Sequence, residues 1–538
     1  MEKYFNIILQ HKNCNDIIKK IVSKAKTNCV ERHWERIRKI LLNILNEDRE
    51  ELKKDCYDGL PDDLPCLRAL VWKINFRYLS HDMKKWEKIL KLKRNEYIEL
   101  KSAFLLRLNE EKKIFYEIQN NKKISEKEKN DLILLSKNTD RNLLETIDKD
   151  VNRTHINFDF FSKPVNNNKK ITKEQIHNNI EQKRNCTYCD YTQIYSKNNN
   201  ENETHSDVLV RILYIYSKLN KDVSYVQGMN EILAPIYYCY CIDNVYEMSK
   251  ENLEKIEADV FWSFSNLMEE IKSLFLKEND NKKDGIFNII NNFEIIVENF
   301  DKDCYKLLKK NNVNFIMFSF RWFNLFFSQE FLMPDILRLW DVVFCEKERF
   351  NFVYYFALAI LKYEYKNIVD KEFYEIVEIL HKIEVKNIED LIEIAFDIKN
   401  KYEKKIQNLL FEKNKDFKNN KILQINNNEN INNNNINNIN NISHIKKEER
   451  KNRELIKNYS HKNFSVSNKD NNYHNIKENI YHKFFFFKKI IHKEKKNKNN
   501  NLENFIKYHY ENDKEGKMLI DNNFEEENLL KMLNIKKK

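Results

Sequence analysis

Glycine and proline are almost missing from this chain, with four of the first and five of the second in 538 residues. Sheets and barrels use glycine at bulges and hairpin turns, and no Asn-Gly or Asp-Gly pair here sits between two strand-like runs. An all-β architecture is therefore excluded, and Gly285 in "KKDGIF" reads as a break between helices. Long apolar runs are absent too. No stretch approaches the length of a membrane span, and the opening "MEKYFNIILQHKN" has no apolar core long enough for a signal peptide. A cytoplasmic protein is the expectation.

A disulfide framework is missing as well. The ten cysteines are scattered, and a long, tryptophan-containing core does not need such staples. Cys186 and Cys189 in "CTYC" have zinc-ribbon spacing, but no second Cys-x-x-C or histidine pair follows, and Cys239-Tyr-Cys241 is wrongly spaced to complete one. A reduced, loop-borne pair is the reading, and no metal is expected. Residues 401–538 hold 30 Lys+Arg against 18 Asp+Glu, whereas residues 1–400 hold 64 against 65. The first 400 residues thus lack the basic face that a globular nucleic-acid-binding domain carries, so no specific nucleic acid is expected.

What the chain does have is helical periodicity. "ERHWERIRKILLNIL" sets Trp34, Ile37, Ile40, Leu41 and Ile44 on one stripe, and "DVLVRILYIYSKL" does the same with Leu209, Ile212, Leu213 and Tyr216. The fold class is all-α. All six tryptophans and all five prolines fall between Trp34 and Trp340, and beyond about residue 400 the chain turns to asparagine and lysine repeats. Such a tail cannot bury enough apolar surface to offset the entropy of ordering, and disorder is expected there. Residues 1–54 read as a helical extension packed on the domain, 55–400 as the domain, about 164–203 as an inserted disordered loop, and 401–538 as the tail.

Four segments stand out. The first, "DGLPDDLPCLRALVWKI", makes a rigid turn from Gly59, Pro61 and Pro65 before a helix. The others are "TIDKDVNRTH", "SYVQGMNEI" and "FRWFNLFFSQEFLMPDILRLWDVVF". Together they resemble the TBC-domain family of Rab GTPase-activating proteins. The family's I-x-x-D-x-x-R-T motif is matched by Ile147, Asp150, Arg153 and Thr154, and its Y-x-Q-G-M motif by Tyr225, Gln227, Gly228 and Met229. The R-W…E-F…P-D…L-W-D block is matched by Arg321, Trp322, Glu330, Phe331, Pro334, Asp335, Leu339, Trp340 and Asp341. Gly59, Leu60, Pro61, Arg68 and Trp72 match the opening block. The order is the family's, the resemblance spans roughly residues 55–400, and the phrasing is most similar to its member thirteen subgroup. It implies a two-lobed helical domain.

The resemblance further implies that the chain is no enzyme itself. It would activate a GTP-loaded Rab-type GTPase in vesicle traffic by supplying Arg153 as an arginine finger and Gln227 as a glutamine finger. No cofactor of its own is then needed, since GTP and Mg²⁺ belong to the partner. The residue types suit the chemistry. Guanidinium is planar, always charged and able to bridge two phosphoryl oxygens, while an uncharged amide offers a water both a donor and an acceptor. Asp150, three residues before Arg153, shares a helical face with it and would hold its rotamer. Thr154, Tyr225, Met229 and Asn230 would support the fingers.

Gly228, lacking a Cβ, would let the backbone turn sharply and approach the GTPase closely where the helix begins near Met229, so that Gln227 projects outward. Pro235 would kink that helix. Arg68, Arg321, Glu330, Pro334, Asp335 and Asp341 read as structural, and Trp72, Trp322 and Trp340 as core. Ile156 stands where the family commonly has proline, which implies a looser turn after Arg153. In the tail, "YHKFFFFKKIIHKEKK" could give weak peripheral contact with anionic endomembranes, or be an apolar accident. Two rival readings are a non-catalytic Rab-binding scaffold, which intact fingers argue against, and a membrane tether driven by the tail.

Overall fold

A computed structural model describes residues 2–80, 82–120, 140–155, 158–165, 203–242, 250–276 and 285–435. By its contacts the chain divides into two units, Met1–Asp397 and Ile398–Lys538. The described residues are helical throughout, apart from turns and one isolated antiparallel bridge between Pro164 and Thr204. None of these helices is long and apolar enough to cross a membrane.

Helices α1 (Glu2–Leu9), α2 (Asp16–Asn28), α3 (Glu31–Leu45) and α4 (Arg49–Tyr57) lead in. The expected stripe on α3 is buried in full, Trp34 through Ile44. Two of the chain's rare residues then make the turn. Gly59 has φ +83°, and an ideal Cβ there would lie 2.7 Å from Nε of Arg338. Pro65 opens α5 (Pro65–Asn75) at a position where a missing N–H leaves no helical bond unmade.

α6 (Trp86–Asn120), α7 (Asp140–Val151), α8 (His205–Leu219), α9 (Met229–Cys241) and α10 (Lys250–Ile271) complete a first group of helices. α9 is its centre. It touches α5, α7, α8 and α10, and it is buried nearly all round, the pattern of a core helix and not of a surface one. Pro235 lies inside it without ending it.

The second group is α11 (Ile286–Phe300), α12 (Lys302–Lys310), α13 (Phe315–Asn324), α14 (Met333–Cys345), α15 (Arg349–Ile368) and α16 (Phe373–His381). α14 packs on α15 and reaches back to α4, α5 and α9, so it joins the two groups. Gly285 stands just before α11, at the break expected there.

Two buried acids fasten α6 and α10 together. Asp259 accepts both guanidinium nitrogens of Arg94 at 2.8 Å and the Tyr78 hydroxyl at 2.8 Å, with the Lys73 ammonium at 3.0 Å. Glu257 accepts from Arg211 at 2.6 and 2.9 Å and from the Tyr97 hydroxyl at 2.6 Å. Burial pushes both carboxyls upward, but their cationic neighbours prevail and hold each at about 2.

The joint between the groups rests on a third buried acid. Asp341 accepts Nε of Arg68 at 3.1 Å, the Trp72 indole at 2.8 Å and the Leu60 amide at 3.3 Å, and is fully buried. Burial raises its carboxyl, and Arg68, Trp72 and Leu60 pull it back. Arg68 also donates to the Leu60 carbonyl at 2.9 Å, which closes the Gly59 turn over α5. Trp72, Trp322 and Trp340 are each fully buried, as expected of core residues.

The ends of the expected insertion meet. Val165 N–H donates to Glu203 at 2.8 Å and His205 N–H to Lys163 at 3.1 Å, so the chain leaves and returns at one place. Residues 166–202, with Cys186 and Cys189, lie outside the described residues, as do residues 121–139. α17 (Ile388–Asn435), the last described helix, runs on across residue 400. Leu391, Ile392, Ala395, Ile398 and Ile406 continue a helical apolar pattern across it, and all five are buried. The "FFFF" run lies outside the described residues.

Asp341→Ala should cost about 3–5 kcal/mol, because it strands Arg68 as a buried charge without its main counter-ion. Urea denaturation followed by circular dichroism measures this. A loss below about 1 kcal/mol would mean that the joint does not depend on Asp341.

Candidate functional site

α7 ends at Val151, so Arg153 lies just beyond the helix and not on it. The three-residue spacing to Asp150 still brings the pair together, because the turn continues with Arg153 N–H bonded to the Asp150 carbonyl at 3.0 Å and Thr154 N–H to Val151 at 3.0 Å. The Arg153 guanidinium meets Oδ1 of Asp150 at 2.5 Å, and its Nε donates to the Lys149 carbonyl at 3.0 Å. The Arg153 side chain is 47% exposed while that of Asp150 is 5% exposed. A buried acid thus steers a cation at the surface. Ile156 lies outside the described residues, so the turn's looseness at that point is not described.

The other oxygen of Asp150 faces the second motif. Oδ2 accepts the Tyr225 hydroxyl at 2.9 Å. Burial drives that phenol well above its usual range, and the adjacent Asp150 charge adds to the rise, so Tyr225 stays protonated as a donor. Asn230 closes the circuit. Its Oδ1 accepts the Gly228 N–H at 3.1 Å and lies 3.1 Å from the Tyr225 hydroxyl. Its Nδ2 donates to Oγ1 of Thr154 at 2.8 Å and reaches the Asp150 carbonyl at 3.3 Å. Oγ1 of Thr154 in turn donates to the Asp150 carbonyl at 3.2 Å. Asp150, Thr154, Tyr225, Gly228 and Asn230 are all buried, and Arg153 alone of the bonded side chains reaches the surface.

Gly228 sits at the N-cap of α9 with φ +103°, in the left-handed region. An ideal Cβ there would lie 2.8 Å from Cδ2 of Leu325. Gly228 thus lies close against the chain's own turn, a contact the sequence did not reveal. Met229 is fully buried beside it, and its sulfur lies 3.5 Å from the Val226 amide. Gln227 is half-buried, and among the described residues its side-chain amide has no hydrogen-bond partner.

The turn beneath Gly228 is itself constrained. Phe326 and Phe327 have φ +49° and +62°, a conformation that costs a phenylalanine energy unless packing enforces it. Both rings are fully buried, and the Trp340 indole donates to the Phe326 carbonyl at 2.9 Å. Arg321 pairs with Glu330 at 2.8 Å and donates to the His381 carbonyl at 3.2 Å. The third block of the motif therefore builds the floor under Gly228. Asp335 lies in the first turn of α14, half-buried, with burial and then Glu389 raising its carboxyl. Pro334 is exposed in the same turn.

Two residues of the site escaped the sequence reading, Glu231 and His155. The Glu231 carboxyl is buried behind Asn230, which donates to it at 3.1 Å, and lies 3.7 Å from Nε2 of His155. Burial raises it to about 7 against a hydrogen bond from Gln329. Asp150 adds to that rise, while Arg321 and Asn230 oppose it. His155 is pushed down to about 4 by burial, and among the described residues its Nε2 has no hydrogen-bond partner.

Residues 163–369 match the family model described as the Rab-GTPase-TBC domain. That span includes Gln227 and the Arg321–Asp341 block and begins after Arg153. The chain is 28% identical over 378 residues to TBC1 domain family member 13 of Homo sapiens, covering 65% of this chain and 93% of that one. Over 152 residues it is 30% identical to the GTPase-activating protein GYP1 of Saccharomyces cerevisiae, covering 26% of this chain and 23% of that one. The crystal structure of the Ypt/Rab-GAP domain of Gyp1p aligns with 72% of this chain and 100% of that chain, at TM-score 0.47 and 21% identity. The resemblance drawn from the motifs agrees with the family model, and its member thirteen subgroup with the first of these relatives.

Gly228→Ala should cost about 1–3 kcal/mol, since alanine must adopt a left-handed φ while Leu325 gives way. Chemical denaturation with unchanged far-ultraviolet circular dichroism checks this. Wild-type stability in the variant would show that the turn is not under the constraint described.

Proposed function

We propose that this chain, whose residues 163–369 match the Rab-GTPase-TBC domain model, is a GTPase-activating protein for a Rab-type small GTPase, acting in vesicle traffic. It supplies Arg153 and Gln227 in trans to hydrolysis carried out by the Rab, and needs no cofactor of its own because GTP and Mg²⁺ come with the partner. The observation that carries this reading is the shared hold on the two residues. One carboxylate, Asp150, takes the Arg153 guanidinium on one oxygen and the hydroxyl of Tyr225, two residues before Gln227, on the other.

In phosphoryl transfer the γ-phosphoryl oxygens carry charge in the transition state, and the attacking water must be held in line. A half-exposed guanidinium with its rotamer set in advance suits the first task, since little side-chain entropy is lost when it engages. An amide without a hydrogen-bond partner among the described residues suits the second, because none of those residues competes for its donor and acceptor. Asp150 remains as the resting partner of Arg153 and is exchanged for phosphoryl oxygens on docking. GTPase-activating relatives support the activity. Weak peripheral contact of the basic tail with anionic membranes is part of the same proposal.

Arg153→Ala should lower the stimulated rate of GTP hydrolysis by about 10³–10⁵-fold. Gln227→Ala should lower it by orders of magnitude too with the melting temperature unchanged, whereas Arg153→Ala should also lower the melting temperature because it removes the cation that compensates buried Asp150. Phosphate release from a panel of GTP-loaded Rabs measures this. Two variants that match the wild type on every responsive Rab would overturn the mechanism.

A further inference from the structure

We propose that Glu231 is a positioning residue for this reaction, its buried carboxyl joining the turn that carries Arg153, the loop that carries Gln227 and the Leu325–Glu330 turn into one unit. The inference rests on the activator reading for its consequence, though not for its geometry. Glu231 occupies the first turn of α9, where an acidic side chain ordinarily faces solvent and favours the helix N-terminus. Here it is 4% exposed. Its Oε1 accepts from Asn230 at 3.1 Å, and Asn230 in turn holds Thr154 and the Gly228 N–H. Gln329, at the far end of the Leu325 turn, also donates to the carboxylate. Oε2 faces Nε2 of His155 across 3.7 Å, and that nitrogen is buried and has no hydrogen-bond partner among the described residues.

The arrangement has two protonation states with different bonding. Ionised, the carboxylate offers acceptors only, which suits Asn230 and Gln329. Protonated, Oε2 becomes a donor, and the waiting acceptor is Nε2 of His155, which stays neutral above about pH 4. Closing the 3.7 Å gap would draw the carboxyl toward the Arg153 turn and away from Asn230 and Gln329. The charged or titratable groups facing Glu231 are Asp150 from α7, His155 from the turn after it, Tyr225 from the Gln227 loop, and Arg321 from α13, itself paired with Glu330. Asp150 and burial favour the proton, and Arg321 opposes it. The crossover falls at about 7, so the acceptor-only state prevails above neutrality and gives way as pH falls.

Two measurements test this. The first is GTP hydrolysis by a responsive Rab, expressed as stimulation over that Rab's intrinsic rate from pH 6 to 8. Wild-type stimulation should fall about tenfold toward pH 6, whereas E231Q, which cannot titrate, should give a flat profile. E231A should lower kcat by about ten- to a hundredfold with KM nearly unchanged, the mark of misplaced groups and not of lost docking. An E231Q profile parallel to the wild type, or an E231A kcat within about twofold of it, would overturn the proposal. The second is amide hydrogen exchange of the free protein, which needs no GTPase. E231A should speed exchange together in residues 150–155, 225–230 and 325–330. A rise confined to residues 229–232 would overturn the coupling. If the wild type stimulates no Rab, the activator reading fails, and the exchange experiment still decides whether Glu231 unites the three segments.

Discussion

A carboxylate removed from water has to be compensated, and Asp150 is compensated by the two segments that matter most. Burying it without partners would cost several kcal/mol, so its oxygens constrain whatever lies around them. Oδ1 takes the Arg153 guanidinium and Oδ2 the Tyr225 hydroxyl, while the Asp150 carbonyl takes Thr154 and Asn230. Two motifs separated by some seventy residues of sequence thereby share one anchor. The guanidinium head stays at the surface because Asp150 reaches it from below, and the Gln227 loop stays beside it because Tyr225 and Asn230 have nowhere else to place their polar atoms. Remove the acid and both segments lose the same partner.

That anchor stands on a second one. Asp341 gathers Arg68, Trp72 and Leu60, fixing α14 against α5 and the Gly59 turn. Its neighbour Trp340 holds the Phe326 carbonyl, and the strained turn that follows places Leu325 under Gly228. The contacts run from the opening G-L-P block through the W-D block to the Q-G loop without a break. This gives the distant motif residues a physical role. They fix the height and tilt of the Gln227 loop, and no reacting group has to touch them.

The helical fold was legible because apolar periodicity is written locally, as Trp34 to Ile44 and Leu209 to Tyr216 illustrate. The pairing of Asp150 with Arg153 was legible for the same reason, being a matter of three residues, although the helix stops at Val151 and a turn does the work expected of it. Gly228 was legible as a conformational necessity. Its contact with Leu325 was not, since nothing in either segment announces the other. Glu231 was missed because an acid in the first turn of a helix reads as a solvated charge. Its burial is set by Asn230, Gln329 and His155, the last two on turns far from it in sequence. His155 was missed in the same way. The boundary near residue 400 was set by composition, and composition does not show that α17 runs on across that point.

The most direct test of the shared anchor is a double-mutant cycle on the stimulated kcat/KM, with Asp150→Ala and Tyr225→Phe made singly and together. If one carboxylate positions both segments, the two losses will not add, and the coupling energy will fall in the range of about 0.5–3 kcal/mol typical of residues in direct contact. Losses that add to within about 0.3 kcal/mol would mean that Arg153 and Gln227 are held independently, and the idea of a single anchor would have to be abandoned.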